Sequence, residues 1–485
     1  MNNSLWIEGM PDTFMNGLWE WAIAAALLFF QVAGLVLAAR VILTNRSTHG
    51  TIAWVISLIL LPLAAVPIYL VFGRNRLHSY IEARRKVDLE FARNHPVKAV
   101  RAVNEPATKW ALLEGLANTR MTEGNDVRVF FTGRETFDGM LADIQTARDY
   151  IIFQFFIFRD DEEGRKFLKV LKAKAREGVR VYFMVDAIGS IDLKKPFFHE
   201  LEEAGLKIGR FSPGRTLRGR LRLNFRNHRK VVVVDGREAW IGGHNIGREY
   251  VGKDPKVGPW RDTHARITGS AINAIQLSFL EDWYWVTREM PELTWDVPSE
   301  TGGAVEALCL STGPSDPEDT CTLAYVHLIN RAERRLWIHS PYFVPSEEVI
   351  IALQLATLRG VDVRVLMPAQ RDHLMVWVSS FYFSALPQLN KVRFFRYNTG
   401  FFHSKMLLMD DNLLSVGTVN FDNRSFRINF ESTLLMHEKA IIETCHQQMA
   451  RDFANSTEDP VDPLATRSIF FRLAARGVRL LSPLL

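Results

Sequence analysis

The chain has 485 residues, with 59 Lys plus Arg against 54 Asp plus Glu, a formal net charge of +5 and 47% hydrophobic residues. This length and balance exclude a disulfide-stapled peptide and a disordered chain, and they leave room for about two to four domains. The three cysteines, Cys309, Cys321 and Cys445, show neither a CxxC pair nor a Cys/His spacing typical of zinc. We therefore expect buried, incidental thiols.

Two apolar runs near the N-terminus are long enough to cross a membrane. Positions 21–39 contain no charged side chain, and neither do positions 51–73. Each run is close to the length of about 20 residues that a membrane-spanning helix needs. A cleaved signal peptide is disfavoured because no Lys or Arg precedes Arg40. Buried core helices are the remaining alternative. We predict two transmembrane helices, at about 21–43 and 51–73, although Pro62 and Pro67 could bend the second or make it re-entrant.

The basic flanks of these runs favour one orientation. Two spans with a short connection place the N-terminal tail and the large C-terminal part on the same side of the membrane. Arg40 and Arg46 lie in the connection, whereas several basic residues follow the second run: Arg74, Arg76, Arg84, Arg85 and Lys86. By the positive-inside rule, the C-terminal part is cytoplasmic.

The rest of the chain has the composition of an α/β protein and contains a repeat. Residues 147–186 and 332–368 each show the order strand, helix, strand, with a glycine after the helix, which is typical of βαβ units in a parallel sheet. The predicted division is 1–76 as membrane anchor, 77–120 as connection, 121–300 and 301–465 as two similar lobes, and 466–485 as an amphipathic C-terminal helix.

A set of polar residues recurs in the same register in both lobes. His228, Lys230, Asp235, Gly242 and Asn245 return with identical spacing as His403, Lys405, Asp410, Gly417 and Asn420. One HxK pair on a strand is more often a surface pair than a site. Two complete copies, each followed by an apolar strand and a turn, predict a functional site.

Strand geometry explains the spacing of the first two residues. Residues i and i+2 of a strand project to the same face, so the His and Lys of each copy point together. If the lobes meet face to face, two His, two Lys and two Asn converge on one pocket. Its cationic and amide donors suit a phosphate, and its imidazoles suit a nucleophile and a general acid. A metal is disfavoured because a protonated Lys beside each His would repel a divalent cation. We therefore expect phosphodiester chemistry without a metal or another cofactor.

The duplicated HxKxxxxDxxxxxxGxxN pattern resembles the HKD motif of the phospholipase D superfamily, over roughly residues 120–485. The segment WVISLILLPLAAVPIYLVFGRNR, the WRDTH at 260–264 and the terminal SPLL are similar to those of bacterial cardiolipin synthases. The resemblance implies an α/β fold of two tandem phospholipase D-like lobes, a mixed sheet flanked by helices, preceded by two transmembrane helices. It also implies a multi-pass protein of the bacterial inner membrane.

The resemblance assigns roles to the motif residues. His228 is the candidate nucleophile and His403 the candidate acid/base, although the assignment could be reversed. Glu431 follows His403 in the second lobe and is expected to orient it. Asp262 follows His228 at a somewhat longer spacing and is the less certain counterpart in the first lobe. The motif lysines and aspartates complete the catalytic set, with the asparagines as phosphate ligands: Lys230, Lys405, Asp235, Asp410, Asn245 and Asn420. We expect the two aspartates to hold the local fold rather than touch substrate.

For activity, the resemblance implies phosphatidyl transfer from one phosphatidylglycerol to the head-group hydroxyl of another, with release of glycerol. Two alternatives use other chemistry or none. A hydrolase would pass the same intermediate to water, as a phospholipase D or a nuclease, although two membrane spans argue against nucleic acid as a partner. A non-enzymatic anchor is disfavoured because both HxK pairs are intact. Sequence leaves acceptor, acyl preference and oligomeric state open.

Two further segments are basic. Nine basic residues and no acidic one lie between positions 204 and 234, which is either a solvated loop or an attractor for anionic lipid: Lys207, Arg210, Arg215, Arg218, Arg220, Arg222, Arg226, Arg229 and Lys230. The final segment, 467–485, places Arg472, Arg476 and Arg479 on one helical face among apolar residues. A helix lying in the membrane interface and a helix packed on the lobes explain that pattern equally well.

Overall fold

The computed structural model of the chain describes residues 12–44, 48–73, 78–94, 109–212, 225–295 and 302–484. The described residues belong to two compact units. One comprises the helices up to residue 73, and the other begins at residue 78 and contains both lobes. Each unit is described in turn.

The first unit holds three helices: α1 Asp12–Thr44, α2 Thr48–Leu60 and α3 Pro62–Phe72. Within α1, residues Trp19–Leu43 are long and apolar enough to cross a membrane. Most of their large apolar side chains are exposed, including Trp21 and Phe29, so α1 is not the core helix of a soluble domain. The first predicted span therefore has a structural counterpart.

The second predicted span, 51–73, is not one continuous helix. Leu61 leaves helical geometry between α2 and α3, and Pro62, which has no backbone N–H to donate, begins the new helix. Backbone hydrogen bonds from Leu61 N to Ser57 O and from Ala65 N to Leu61 O continue the helical bonding pattern on both sides of the break. The second predicted span is therefore interrupted at Pro62, one of the two prolines expected to bend it, and its crossing of the membrane stays a prediction.

Both short helices pack on α1 through buried apolar residues. Ala38, Val41, Leu58, Ala65 and Tyr69 form the buried contact. A Cβ on Gly34 would lie 2.3 Å from the carbonyl oxygen of Leu58, so glycine permits the close approach of α1 and α2.

The second unit is a mixed α/β structure. Its helices are α4 His78–Asn94, α5 Ala111–Ala117, α6 Gly133–Thr146, α7 Glu162–Arg176, α8 Lys195–Glu203, α9 Ile272–Thr287, α10 Thr320–Arg331, α11 Glu347–Leu358, α12 Leu374–Ser384, α13 Asn423–Arg427, α14 Lys439–Ala454 and α15 Ile469–Val478. Short 3₁₀ turns cover Arg248–Val251, Pro387–Leu389 and Arg479–Leu484.

The strands of the first lobe are β1 Thr122–Thr132, β2 Tyr150–Phe155, β3 Arg180–Asp186, β4 Lys207–Phe211, β5 Val231–Val234, β6 Glu238–Gly242 and β7 Trp260–Thr268. Those of the second are β8 Val305–Thr312, β9 Arg335–His339, β10 Phe343–Val344, β11 Asp362–Pro368, β12 Arg393–Tyr397, β13 Phe401–Phe402, β14 Met406–Met409, β15 Leu413–Gly417, β16 Phe421–Asp422, β17 Glu431–His437 and β18 Ser456–Glu458.

Sixteen of these strands form one sheet that runs through both lobes, in the order β18-β12-β11-β9-β14-β15-β17-β8-β1-β7-β6-β5-β2-β3-β4, with β13 against β7. Apart from the edge strand β18, the order on one side of the β8–β1 boundary is the mirror of the order on the other. In each lobe a parallel set (β2, β3 and β4, or β9, β11 and β12) adjoins an antiparallel set. The predicted duplication and the mixed sheet are therefore confirmed.

Apolar strands explain why the sheet is buried on both faces. Every residue of β2, β5 and β14 is buried, as expected for strands with helices on both sides. One core cluster, which contains Trp283 of α9 and Met449 of α14, draws residues from both lobes. The lobes thus share a hydrophobic core, which fixes the two motif strands relative to each other.

The segment predicted as a connection contributes a helix to this core. Tyr80 and Val87 of α4 are buried, and the Tyr80 hydroxyl donates to Asp282 of α9 at 2.6 Å. Arg84, which the sequence assigned to the basic flank of the membrane segment, pairs with Glu281 and Asp316 at 3.2 and 2.8 Å. Arg84 is therefore a structural residue of the second unit.

The three cysteines lie in the core as expected. Cys309, Cys321 and Cys445 are free and buried. Burial raises the pKa of the Cys309 thiol to about 11, so this thiol is protonated at neutral pH.

Candidate active site

The two HxK pairs lie immediately before two central strands. Lys230 precedes β5 and Lys405 precedes β14, so each pair is held at the end of a buried strand. The backbone N–H of His228 donates to Phe430 O at 2.9 Å, and that of His403 donates to Arg261 O at 2.8 Å. Each histidine is therefore fixed by a backbone segment of the other lobe.

Those crossing segments determine which carboxylate meets which histidine. His228 Nδ1 lies 2.9 Å from Glu431 Oε2, and His403 Nδ1 lies 2.6 Å from Asp262 Oδ2. The sequence predicted the opposite pairing, with each acid serving the histidine of its own lobe. That prediction was wrong, because β13 runs parallel to the start of β7 and Asn227 bridges to Phe430, so each acid lies at or near the start of a strand beside the other lobe's motif.

The carboxylates fix the tautomer of both imidazoles. A carboxylate only accepts, so Nδ1–H donates to it and Nε2 is left for chemistry. Lys405 Nζ also lies 2.8 Å from His403 Nδ1. A protonated Nδ1 has no lone pair in the ring plane with which to accept from Lys405. We therefore assign the proton to Nδ1, which donates it to Asp262.

Further donors hold each carboxylate in place. Glu431 accepts from the Thr418 hydroxyl at 2.5 Å and from Asn429 Nδ2 at 3.1 Å. Asp262 accepts from Trp260 Nε1 at 3.4 Å and from the backbone N–H of Thr263 at 2.8 Å. Trp260 and Asn429 each stand two residues before the acid, Trp260 at the start of β7 and Asn429 just before β17.

Charge balance in the site keeps the two acids ionised. Burial alone would raise their pKa values. His228 and Lys230 nevertheless hold the pKa of Glu431 below its ordinary value, and Lys405, His403 and His244 hold that of Asp262 well below. Both carboxylates are therefore negative at neutral pH and can stabilise an imidazolium.

The lysines and histidines are shifted by burial in the other direction. Burial lowers the pKa of Lys230 to about 7 and that of Lys405 to about 8. It also lowers the pKa of each motif histidine to about 4. Each Nζ donates to the carbonyl oxygen of its own motif histidine, at 2.6 Å for Lys230. The site thus holds neutral imidazoles able to attack, beside ammonium groups that a bound anion would keep charged.

The motif glycines allow the strands to approach closely. A Cβ on Gly242 would lie 2.5 Å from Thr263 O, and one on Gly417 would lie 2.5 Å from Ser432 O. A Cβ on Gly243 would meet the Asp262 carboxylate at 2.0 Å. Glycine at these positions therefore leaves room for the strands that carry the two acids.

The motif aspartates lie at the other ends of the strands from the lysines. Asp235 accepts from the backbone N–H groups of Arg148, Asp149 and Tyr150 at 2.8 to 2.9 Å. Asp410 makes the same bonds with residues 333–335. Both residues have left-handed backbone conformations, with φ of 50° and 54°. Across the four residues of β5, about 13 Å separates Asp235 from the HxK end, so these contacts are those of structural residues.

The two asparagines differ in their surroundings. Asn245 Oδ1 accepts from the backbone N–H of Ile157 at 3.0 Å, and its Nδ2 donates to the Tyr250 hydroxyl at 3.2 Å. Asn420 is also buried, but its Oδ1 has no hydrogen-bond partner among the described residues. Asn420 therefore has unmet polar capacity at the motif, whereas the Asn245 amide already joins two elements.

Asp282 is a buried residue of the site that sequence analysis missed. Its Oδ2 accepts from Asn227 Nδ2 at 2.7 Å, Arg229 Nη1 at 2.8 Å and Gln154 Nε2 at 2.8 Å. These bonds fix both neighbours of His228. The available signal was an acid in the middle of an apolar helix, FLEDWYW, since a buried carboxylate needs partners.

The basic run divides into different environments. Residues 215–222 lie outside the described residues. Arg229 is 3% exposed and pairs with Asp282 at 2.8 Å, and Lys230 is fully buried. Lys207 and Arg210 lie over the rings of Tyr182 and Phe198. Part of the run is therefore structural or catalytic, not a solvated loop.

Among the described residues, no group of three or more His, Cys, Asp or Glu is arranged to hold a metal ion. The expectation of a reaction without metal or cofactor stays a prediction.

Comparisons with known proteins point to one family. A family described as "Cardiolipin synthase, PLD-like domain" matches residues 140–255 and 325–453, and one described as "Phospholipase D-nuclease N-terminal" matches residues 32–74. Cardiolipin synthase A of Pseudomonas putida is 40% identical over 465 residues, covering 94% of this chain and 96% of its own. Cardiolipin synthase A of Pseudomonas aeruginosa is 41% identical over 471 residues, covering 95% of each chain.

A solved structure shares the fold at low identity. Phosphatidylserine synthase of Haemophilus influenzae has a TM-score of 0.57 and 14% identity, covering 77% of this chain and 99% of its own. The identity to the two Pseudomonas proteins extends across nearly the whole chain and both lobes are matched, which is sufficient to assign the family. The chain belongs to the cardiolipin synthase family of the phospholipase D superfamily.

Proposed function

We propose that the protein transfers a phosphatidyl group from one phosphatidylglycerol to a head-group hydroxyl of a second, forming cardiolipin and glycerol. The observation that carries the proposal is the pair of imidazoles, each anchored through Nδ1 to a buried carboxylate of the opposite lobe. The reaction needs a nucleophile and a separate acid/base, and two histidines whose Nε2 atoms are free can fill these two roles.

In the first half-reaction, Nε2 of His228 attacks the phosphorus of the donor. The phosphorus–oxygen bond to glycerol breaks, and His403, which takes up a proton on Nε2 when the phosphodiester anion binds beside it, gives that proton to the departing oxygen. Glycerol leaves and a phosphatidyl-histidine remains. Glu431 stabilises the positive charge that develops on His228.

In the second half-reaction, the hydroxyl of the acceptor phosphatidylglycerol loses its proton to Nε2 of His403. The oxygen attacks phosphorus, the phosphorus–nitrogen bond breaks, and its electron pair returns to His228. Cardiolipin leaves. Since the bonds broken and formed are of the same kind, the reaction is reversible.

The remaining polar residues would stabilise the phosphate. Lys230 and Lys405 supply positive charge to the equatorial oxygens, and a bound phosphodiester anion raises their pKa and keeps them charged. Asn420 is the better-supported amide ligand, because the Asn245 side chain would have to leave Tyr250. We assign Asp235 and Asp410 to the fold, not to substrate contact.

The same proposal covers location and domain division. We propose a multi-pass protein of the bacterial inner membrane, in which α1 spans the bilayer and the kinked α2–α3 pair forms the second crossing. The two lobes at 121–300 and 301–465 are placed on the cytoplasmic side. This orientation is supported by the excess of basic residues after position 73 over the two in the connection, Arg40 and Arg46. Arg84 is left out of that count because it pairs with Glu281 and Asp316.

The test is an incubation of the detergent-solubilised full chain with head-group-labelled phosphatidylglycerol in EDTA, following lipids and released glycerol together. Cardiolipin with equimolar glycerol supports the proposal. Phosphatidic acid as the main product would mean that water is the acceptor and would make the protein a phospholipase D. Turnover that appears only after divalent cations are restored would contradict metal-independent chemistry.

A further inference from the structure

Two helices of the second unit, α12 and α15, expose an apolar surface that we name the α12–α15 patch. Its exposed members are Leu374 and Met375 of α12 and Ile469, Phe470, Leu473 and Leu480 of the C-terminal segment. Phe470 is 80% exposed and Leu480 81%. Contiguous exposed apolar side chains of this size mark an interaction surface.

The opposite face of α15 explains how the helix is held. Phe471 contacts Trp377 and Phe381 of α12, with ring centroids 6.0 and 5.5 Å apart. Ala475 is fully buried in the same cluster. Packing on the lobe, one of the two readings of the sequence, therefore accounts for one face of α15 and leaves the other uncovered in the described part of the chain.

Leu374 and Met375 lie at the same end of the patch as Ile469 and Phe470. They precede Trp377 by a single turn of α12, and Trp377 contacts Phe471. The exposed residues of α12 therefore lie near the contact between the two helices.

The charge of the segment indicates what covers the patch. From residue 463 to the C-terminus the chain has four arginines and no acidic residue. Arg476 and Arg479 are exposed beside the apolar residues. Arginines that border exposed Phe and Leu match a bilayer interface, where lipid phosphates lie above the acyl chains.

The patch is also close to the candidate active site. The Tyr342 ring lies 6.5 Å from that of His403 and 6.1 Å from that of His373. His373 is the N-cap of α12, directly before Leu374. At the other end, Asn423 of α13 donates to Ser482 O at 3.0 Å, which ties the C-terminal turn to the segment after the second motif.

We propose that the α12–α15 patch inserts into the boundary between head groups and acyl chains of an anionic bilayer and so presents the His403 side of the site directly to lipid. Substrate then enters from the membrane, with its acyl chains never leaving the apolar phase. The insertion stands on the patch itself, while its effect on turnover rests on the proposed function.

A direct test places a fluorophore on the patch of the full-length protein. F470C is labelled with an environment-sensitive nitrobenzoxadiazole in proteoliposomes of phosphatidylglycerol and phosphatidylcholine. The native cysteines are buried. We expect a blue shift and quenching by nitroxide-labelled acyl chains. E177C, at a side chain 58% exposed on the C-terminal end of α7, is the control and stays unquenched. Equal and weak quenching at both positions would overturn the proposal.

A kinetic test uses the double variant L473E/L480E. In proteoliposomes we expect about ten-fold less cardiolipin or lower, because two charges oppose insertion of the patch. With phosphatidylglycerol of short acyl chains, monomeric in solution, the rate should stay within about two-fold of the unmodified protein, since that substrate needs no membrane contact. Equal losses with both substrates would mean a folding defect and would contradict the proposal.

The matched control is an exposed apolar stripe on α11 that lacks this position beside the site. Leu355 and Leu358 are 46% and 62% exposed, and L355E/L358E should leave the vesicle reaction unchanged. An equal loss in this control would remove the specificity of the α12–α15 patch. If the unmodified protein makes no cardiolipin from either substrate, the proposed function fails, while the quenching of labelled F470C still decides the insertion.

Discussion

The two halves of the candidate site repeat the same reacting groups in different surroundings. The first lobe has Asn227-His228-Arg229 where the second has Phe402-His403-Ser404. Phe156 lies 5.1 Å from the His228 ring, whereas Trp260, Phe401 and Tyr342 all lie within 6.5 Å of the His403 ring. The His403 half is therefore the more aromatic of the two.

The buried ion pairs behind the two halves are also built differently. In the first lobe, Arg229 of the motif pairs with Asp282 of α9 at 2.8 Å. In the second, Ser404 replaces that arginine, and Arg261 of the other lobe pairs with Asp452 of α14 at 2.6 Å. Each helix thus receives a buried arginine, one from the segment before β5 and the other from β7.

This comparison shows which parts of the repeated unit are constrained by the chemistry. Histidine, lysine and an ionised carboxylate recur at both ends of the site, while the residues that hold them have diverged. Because each carboxylate comes from the opposite lobe, neither lobe carries a complete catalytic set. The shared core and sheet are therefore part of the catalytic apparatus.

The largest expected effect comes from removing either histidine. H228A and H403A should each lower cardiolipin formation by at least about 10³-fold, because one loses the nucleophile and the other the acid/base. Rapid denaturation in alkaline SDS, which preserves the acid-labile phosphorus–nitrogen bond, separates them when the phosphorus-labelled donor is phosphatidyl-p-nitrophenol, whose leaving group needs no proton: labelled protein should be trapped with H403A and be absent with H228A. H199A, at a side chain 72% exposed, is the control. The reverse labelling pattern would exchange the two roles.

The crossed pairing predicts the next effect. E431Q should behave like loss of His228 and D262N like loss of His403, each with a rate reduced on the order of 10²-fold, since a neutral amide stabilises an imidazolium poorly. Trapping of labelled protein should therefore fall in E431Q and persist in D262N. If instead E431Q traps label and D262N does not, functional coupling runs within each lobe, against the geometry. E203Q, a substitution at an exposed side chain, should change neither quantity.

The buried lysines predict a smaller effect of pH on anion binding. Burial lowers the pKa of Lys230 to about 7 and that of Lys405 to about 8. Both are charged below these values and lose their charge as pH rises through them. The inhibition constant of sulfate, which does not titrate in this range, should rise about ten-fold between about pH 7 and 8 as Lys230 loses its charge, and about 100-fold per pH unit above about 8, where both lysines lose theirs. K230M should remove the first part of that rise. A constant value up to about pH 9.5 would exclude a role for either lysine in anion binding.

The fold class, the duplication and the residues of the two HxKxxxxD and GxxN motifs could be read from the sequence, because each repeats at a fixed spacing on strands of recognisable pattern. The pairing of Glu431 with His228 could not, since it depends on which strands become neighbours across the lobes. The hydrogen-bond network around Asp282 was missed for a similar reason. Its partners lie 53 to 202 residues away along the chain, and no local pattern encodes such contacts.

The motif aspartates should show the smallest effect on rate and a clear effect on stability. D235N and D410N should keep kcat within about two-fold while lowering the free energy of unfolding by about 1.5 to 3 kcal/mol, because each carboxylate accepts charge-assisted bonds from three backbone N–H groups. Asparagine tolerates the left-handed conformation at both positions, so this substitution removes the charge and leaves the backbone preference intact. Thermal inactivation half-lives and initial rates in the same detergent provide both readouts.

D411N is the matched control, since Asp411 is 53% exposed beside Asp410 and pairs with the partly exposed Arg334 and Arg335. It should change the half-life little, because exposed ion pairs contribute at most about 1 kcal/mol. A loss of kcat near 10²-fold in D235N or D410N with an unchanged half-life would place that aspartate in the reaction and would break the division between reacting and supporting residues. Equal destabilisation by D235N and D410N would show that the two lobes have kept the aspartate contacts as closely as the reacting groups. The buried arginines Arg229 and Arg261, in contrast, come from different positions in the two lobes.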